Sequence, residues 1–266
     1  MNLPLSEQDW IQTTSPWSGV RFLTTTRAGG VSAAPYDSFN LGMGAGEDPR
    51  IVQTNRQILR MHLPSDPLWL KQVHGNVVID ADVDSSRLQA MLDEPPSADA
   101  STTSVPGRVL AILTADCLPV VMADDRGTVL GLAHAGWRGL AAGVLENTLS
   151  QMRLRQPGAM DFRAWIGPGI GPAVFQVGDD VREAFDGHGA DQPGFFVPDP
   201  SAPKKWLADL PRLAQWRLTR AGVNQVELSG LCTATDPTQR FYSYRRDKIT
   251  GRMATLAWID PENRMK

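Results

Sequence analysis

Apolar residues along this chain fall into short, dense runs more often than into helical stripes. Residues 109–114 (VLAILT), 118–123 (LPVVMA) and 129–134 (VLGLAH) are near-continuously hydrophobic, and turn residues such as Asp125-Arg126-Gly127 separate them. Runs of this length predict strands, and strands lacking a polar face are covered on both sides. Helical spacing takes over at 139–154, where Leu140, Val144, Leu145, Leu149 and Met152 form one stripe. Pro49 opens another helical stretch, IVQTNRQILRMHL, with Ile51, Ile58 and Leu59 on one side.

Further strands are predicted at 20–26, 68–73, 77–81, 162–166, 226–229, 241–244 and 253–259, with helices at 179–185 and 207–221. The glycine-rich segment 38–48, the Pro/Ser/Ala-rich stretch 93–106 and GPGIGP at 167–172 read as loops. No repeat or linker divides the chain, so one domain over 1–266 is expected. The pattern is mixed α/β and favours a layered sandwich over a simple Rossmann sheet.

Composition narrows the partners. A net charge of −3 argues against nucleic acid or an anionic membrane held by bulk electrostatics, while leaving room for a local basic pocket. Two cysteines in 266 residues do not make a disulfide framework. The early acids of the N-terminus leave no apolar signal core, and no run approaches a membrane span. A cytoplasmic protein, monomeric or weakly dimeric, is the expectation.

The candidate chemistry lies in the middle of the chain. His74 sits in KQVHG, Cys117 in TADCLPV and His134 in AHAGWRG, spaced far too widely for a zinc-finger knuckle. Each is at the edge of an apolar run, where a strand end would present it to a cleft. Two imidazoles and a thiolate make a catalytic-type zinc set, with a fourth position open for water or substrate. Singly, each has a plainer reading: a turn histidine at 74, a small buried hydrophobe at 117, a histidine capping a strand-to-helix turn at 134. The Cys117 thiolate can also act as a nucleophile beside a histidine, and Asp116 is the nearest acid able to move protons.

Several residues suit a substrate. HAGWRGL joins a strand to a helix whose first N–H groups would hold an anion, with Arg138 beside them or merely paired with a surface acid. FYSYRRDKITGRM places Tyr244 next to Arg245, suited to stacking on a base or clamping a phosphate, or else forming a strand with basic ends. Asn40 in the glycine-rich loop, Arg56 on the following helix and Gln72 near His74 complete the set. His62 and His188 read as surface residues. Cys232 reads as a buried structural thiol, with lining the site as the alternative.

In order, KQVHG, TADCLPV, HAGWRGL, IGPGIGP and FYSYRRDKITGR resemble the YfiH-like family, also described as laccase-domain or polyphenol oxidase proteins, from about residue 21 to residue 258. The resemblance implies a four-layer α/β/β/α sandwich and one zinc ion on His74, Cys117 and His134. It implies purine nucleoside phosphorylase activity on adenosine, inosine and S-methyl-5'-thioadenosine, with adenosine deaminase activity alongside, so a purine nucleoside and phosphate are the expected partners. Bacterial members closest in motif are also described as peptidoglycan editing factors, amidases that remove L-Ser from UDP-MurNAc-L-Ser. A metal-free cysteine hydrolase using Cys117 with a histidine base, and a module that only sequesters ligand, are the remaining alternatives. The deaminase signature H-x-E with P-C-x-x-C is absent, so deamination would need an independently arranged zinc site. The chain has four histidines, and one blue-copper site alone takes two with a cysteine. Multicopper chemistry is excluded on that count; a single copper on the same ligands is not.

Overall fold

The computed structural model describes residues 10–13, 16–186 and 194–262. In chain order its first elements are β1 (Trp10–Ile11), β2 (Val20–Thr25), α1 (Pro49–Arg60), β3 (Val78–Asp80), α2 (Ser85–Asp93) and β4 (Ala100–Thr103). The central run is β5 (Leu110–Thr114), β6 (Leu118–Asp124), β7 (Leu130–Ala135), α3 (Trp137–Ala141), α4 (Val144–Arg155) and β8 (Phe162–Ile166). Then come β9 (Gln176–Val177), α5 (Asp179–Glu183), β10 (Phe196–Pro198), β11 (Trp206–Ala208) and α6 (Leu210–Arg220). The last elements are β12 (Gln225–Leu228), α7 (Tyr244–Asp247) and β13 (Met253–Ile259).

The strands form a six-stranded mixed sheet, β12-β8-β6-β7-β4-β3, a four-stranded antiparallel sheet, β1-β2-β13-β5, and a small one, β10-β11-β9. Strand periodicity divides the side chains between separate cores. Phe22 on β2, Ile112 on β5 and Ala257 on β13 face Val121 on β6, Leu132 on β7 and Trp165 on β8, filling the space between the two larger sheets. Their neighbours point the other way. Val120, Met122, Ala133 and Ala164 pack against Leu145 and Leu149 of α4 and Leu213 of α6. Leu23, Ala111 and Leu256 pack against Ile58 and Leu59 of α1. The unbroken hydrophobic runs thus follow from strands buried on both faces.

Close approach of α4 to the sheet needs Gly131: a Cβ there would sit 2.7 Å from both Met152 Sδ and Thr148 Cγ2. No helix among the described residues is long and apolar enough to cross a membrane.

Several expected elements differ. The helix expected over 139–154 is two, α3 and α4, broken where Gly143 takes φ +89. The 207–221 helix begins later, because β11 runs to Ala208 and Asp209 caps α6 by accepting from the Arg212 N–H. Residues 68–73 form no strand; only Leu68 and Lys71 make isolated bridges, to Leu110 and Ser97. The strand expected at 241–244 is absent: Ser243 caps α7, which starts at Tyr244.

The largest correction is at 93–106, expected to be loop. It contains β4, whose sequence ASTT is wholly buried between β7 and β3. Small and hydroxylated residues that resemble a loop in sequence fit a tight interior slot whose backbone groups the ladders satisfy. His188 lies outside the described residues.

Trp165 has no exposed surface and packs on Phe22 across the sheet interface, with ring centroids 5.2 Å apart. Trp165→Ala is expected to lower the unfolding free energy by about 3–5 kcal/mol. Urea denaturation checks this, and a loss under about 1 kcal/mol, the scale of a surface substitution, would contradict the packing described.

Candidate metal centre

Three separate segments converge at one end of the six-stranded sheet, where β6 begins and β7 closes. His74 occupies a tight turn with φ 61. Cys117 directly precedes β6, and His134 lies within β7. Their ligand atoms all lie within 4.8 Å of one another. His134 is buried, Cys117 half-buried and His74 exposed, so the group opens on the His74 side. Of the three, only His134 is on a strand, and only Cys117 adjoins the end of one.

Asp99 organises this cluster. It is fully buried just before β4, and its carboxylate accepts the backbone N–H groups of Val73, His74 and Gly75 at 3.2, 2.9 and 2.7 Å. The same carboxylate lies 2.8 Å from His134 Nδ1, and the Asp99 carbonyl accepts the His134 N–H at 2.7 Å. With Nδ1 committed to Asp99, Nε2 of His134 is the nitrogen that faces the Cys117 sulfur. Burial opposes ionisation of Asp99, yet His134 and the backbone donors hold it below the usual carboxylate range.

Cys117 and His134 form a coupled pair. Burial pushes the thiol up, but the charge and hydrogen bonds of His134, with a hydrogen bond from His74, bring it well below an ordinary thiol. Burial pulls His134 down, and the facing thiolate and Asp99 more than reverse that. The site therefore favours a thiolate.

Glycines in HAGWRG have a steric reason. A Cβ on Gly136 would lie 3.0 Å from Cys117 Sγ and 3.0 Å from His74 Cδ2, filling the space the three ligands surround. A Cβ on Gly139 would meet the Gly75 carbonyl at 2.6 Å. The helix expected to offer an anion site here is the single short turn α3. Arg138 is exposed, its guanidinium 4.3 Å from the Trp137 ring centroid, and it does not line the cavity described next.

The cluster forms part of the wall of a cavity of about 830 Å³. Asp116, at φ 93, lines it, but both carboxylate oxygens are engaged: Thr233 Oγ1 donates to one and the Arg245 N–H to the other, each at 2.6 Å. Asp116 thus ties the turn carrying Cys117 to two distant segments. Gly169 packs on the same turn, where a Cβ would fall 2.4 Å from Leu118 Cδ2. Gln72 also lines the cavity, though its amide bonds both the N–H and the carbonyl of Leu113.

Arg56 and Arg245 line the cavity, as does Tyr244, which is 55% exposed at its mouth. Asn40 does not. It is fully buried, donating to Glu47 Oε2 and accepting from the Gly42 and Arg252 N–H groups. Asp99 and Arg252 are the functional candidates that sequence reasoning missed. Cys232 is half-buried, accepts from the Gly171 N–H at 3.2 Å and lines a separate cavity of about 260 Å³. His62 is half-buried, edge-on to Trp10.

The donor set fits a metal ion: two imidazoles and a low-pKa thiolate around a space that Gly136 leaves clear, with a carboxylate fixing one ring. The other two histidines are elsewhere in the chain, His62 against Trp10 and His188 in the sequence beyond α5. The described cluster therefore offers ligands for one ion and not for a multicopper array.

Comparison with known proteins agrees with this architecture. The family model described as "Multi-copper polyphenol oxidoreductase laccase" matches residues 21–260. A Pseudomonas aeruginosa protein named purine nucleoside phosphorylase is 48% identical over 90% of this chain and 93% of its own length. Purine nucleoside phosphorylase YfiH of Escherichia coli is 45% identical over 91% and 94%. The crystal structure of a Neisseria meningitidis protein under the DUF152 family model superposes with TM-score 0.84 at 40% identity, covering 95% of this chain and 99% of that one. YlmD from Geobacillus stearothermophilus superposes with TM-score 0.86 at 29% identity, covering 96% and 98%. Matched along nearly its whole length in sequence and in fold, the chain belongs to the YfiH/DUF152 family of laccase-like domains.

Proposed function

We propose that this chain is a zinc-dependent purine nucleoside phosphorylase acting on adenosine, inosine and S-methyl-5'-thioadenosine. The observation that carries the reading is the His74–Cys117–His134 group in the wall of a cavity of about 830 Å³, in a chain whose near full-length relatives bear that enzyme name. The volume accommodates a nucleoside together with phosphate. Two free thiols suit the reducing cytoplasm, where we place the enzyme.

In phosphorolysis an oxygen of hydrogen phosphate attacks the anomeric carbon as the bond to the purine nitrogen breaks. The electron pair leaves on that nitrogen, which takes up the proton released by the phosphate, giving ribose 1-phosphate and free base. His74, Cys117 and His134 would hold the zinc, which supplies Lewis-acid polarisation when bound. Asp99 keeps His134 in one tautomer and orientation. Asp116 keeps the Cys117 turn in place through Thr233 and the Arg245 backbone. Tyr244 and Phe175 offer aromatic faces to the purine at the cavity wall. The same centre would serve adenosine deamination.

A second reading has one observation in its favour: Cys117, His134 and Asp99 are aligned as nucleophile, base and orienting acid. His74 speaks against it, because a second imidazole directed at the sulfur is a donor that a thiol nucleophile does not need.

Protein purified without added metal is expected to carry close to one zinc per chain by elemental analysis, and Cys117→Ala and His134→Ala to carry none. A folded, active, metal-free protein would instead favour the thiol nucleophile. Asp99→Asn is expected to weaken zinc binding roughly 10- to 100-fold in a chelator competition, with all three ligands still present. Inosine is expected to yield hypoxanthine and ribose 1-phosphate only when phosphate is supplied. Free ribose without phosphate, or L-Ser released from UDP-MurNAc-L-Ser with nucleosides untouched, would overturn the phosphorylase reading.

A further inference from the structure

The cavity wall away from the metal ligands is cationic and unneutralised. Arg56, Lys71, Arg245 and Arg252 all line it. Among the described residues none of the three arginines has a carboxylate within ion-pair distance. The two lining carboxylates do not change this: Asp116 is engaged by Thr233 and the Arg245 backbone, and Glu94 is exposed at the rim.

The arginines are not equivalent. Arg245 spends Nη1 on the Val174 and Gln176 carbonyls, and so holds that loop. The Arg56 guanidinium sits over Trp69, its Cζ 3.9 Å from the ring centroid, with Nε donating to the Leu41 carbonyl at 3.0 Å. Its Nη1 and Nη2 groups have no hydrogen-bond partner among the described residues. Burial alone lowers the Arg56 pKa to about 10, so the fold retains a desolvated cation with no anion of its own.

Arg252 is seated against the same segment. Its N–H donates to Asn40 Oδ1 at 2.8 Å, and its carbonyl accepts the Leu41 N–H at 3.1 Å. Its Nη1 bonds the Thr250 and Gly251 carbonyls, leaving Nη2. A Cβ on Gly42 would strike the Arg252 Cγ at 2.6 Å, so the glycine gives that side chain its path. Thr114 lines the same wall, paired across the sheet with Met253, and its buried hydroxyl has no hydrogen-bond partner among the described residues.

We propose that Arg56 and Arg252, both seated against residues 40–42 and lining one cavity, form the subsite for inorganic phosphate, the attacking anion. The assignment rests on the phosphorylase reading for the anion's role, while the subsite itself is built from this geometry. Trp69 and the Leu41 carbonyl fix the plane of Arg56, so its remaining N–H groups form a preset fork for two phosphate oxygens. Asn40 is then a support for Arg252, not a ligand contact.

The test uses the zinc-loaded full-length protein with Arg56→Met, Arg252→Met and the corresponding lysine variants. At saturating inosine, each Met variant is expected to raise the phosphate KM roughly 10- to 100-fold while the inosine KM stays near wild type. The lysine variants, which keep the charge and lose the fork, fall between, and they carry the test if a Met variant fails to fold. In parallel, inorganic phosphate is expected to raise the melting temperature of wild type, and not of the Met variants, above a chloride control of equal ionic strength. An unchanged phosphate KM and an unchanged phosphate-induced rise would overturn the subsite with the phosphorylase reading intact. Absence of inosine turnover in wild type, with the phosphate-induced rise still abolished by the substitutions, would overturn the phosphorylase reading and leave the subsite standing. Stabilisation by inosine 5'-monophosphate but not by inorganic phosphate would assign the wall to a substrate phosphate and overturn its role for the attacking anion.

Discussion

One buried carboxylate joins the pieces from which the site is made. Asp99 takes three successive backbone N–H groups from the turn at 73–75 and the ring of His134 on β7. A carboxylate placed without exposed surface is costly unless each oxygen is bonded, and here the bonds come from two segments that it ties together. Satisfying that charge sets the His74 turn against the sheet and fixes which nitrogen of His134 faces the sulfur. The metal-type cluster follows from an electrostatic requirement of the fold.

The sheets give this arrangement a stiff base. β6 and β7 are buried on both faces, one half of their side chains locked against the four-stranded sheet and the other against α4 and α6. Close-packed interiors on both sides leave His134 and the neighbouring Cys117 little freedom to drift. The exposed ligand, His74, comes from a turn outside the ladders, and Asp99 supplies rigidity that the turn lacks.

What could be read from sequence was whatever depends on local pattern. The strands around 110–134 were legible because apolar runs of that length have few other folds, and α1 because Pro49 marks its start. His74, Cys117 and His134 stood out through residue type. Asp99 did not, because SADAS resembles a loop, and its meaning comes only when β4 pairs with β7 and buries it. The arginines were ambiguous for a related reason. Arg56, Arg138, Arg245 and Arg252 look alike in sequence, and what separates them is their neighbour: Trp69, Trp137, a pair of carbonyls, or the residues at 40–42. Asn40 was noticed for its setting in a glycine-rich loop, but its buried amide serves the backbone.

The three ligands come from an irregular turn, a strand entrance and a strand interior, and no stretch of local chain holds two of them together. An unfolded chain would therefore offer an ion only scattered donors, and strong binding has to wait until distant strands are paired. A ligand taken up by the native state alone shifts the folding equilibrium by mass action, in proportion to the logarithm of its free concentration over its dissociation constant. An ion bound at this centre would therefore act as a thermodynamic clasp, stabilising the folded chain in step with its supply.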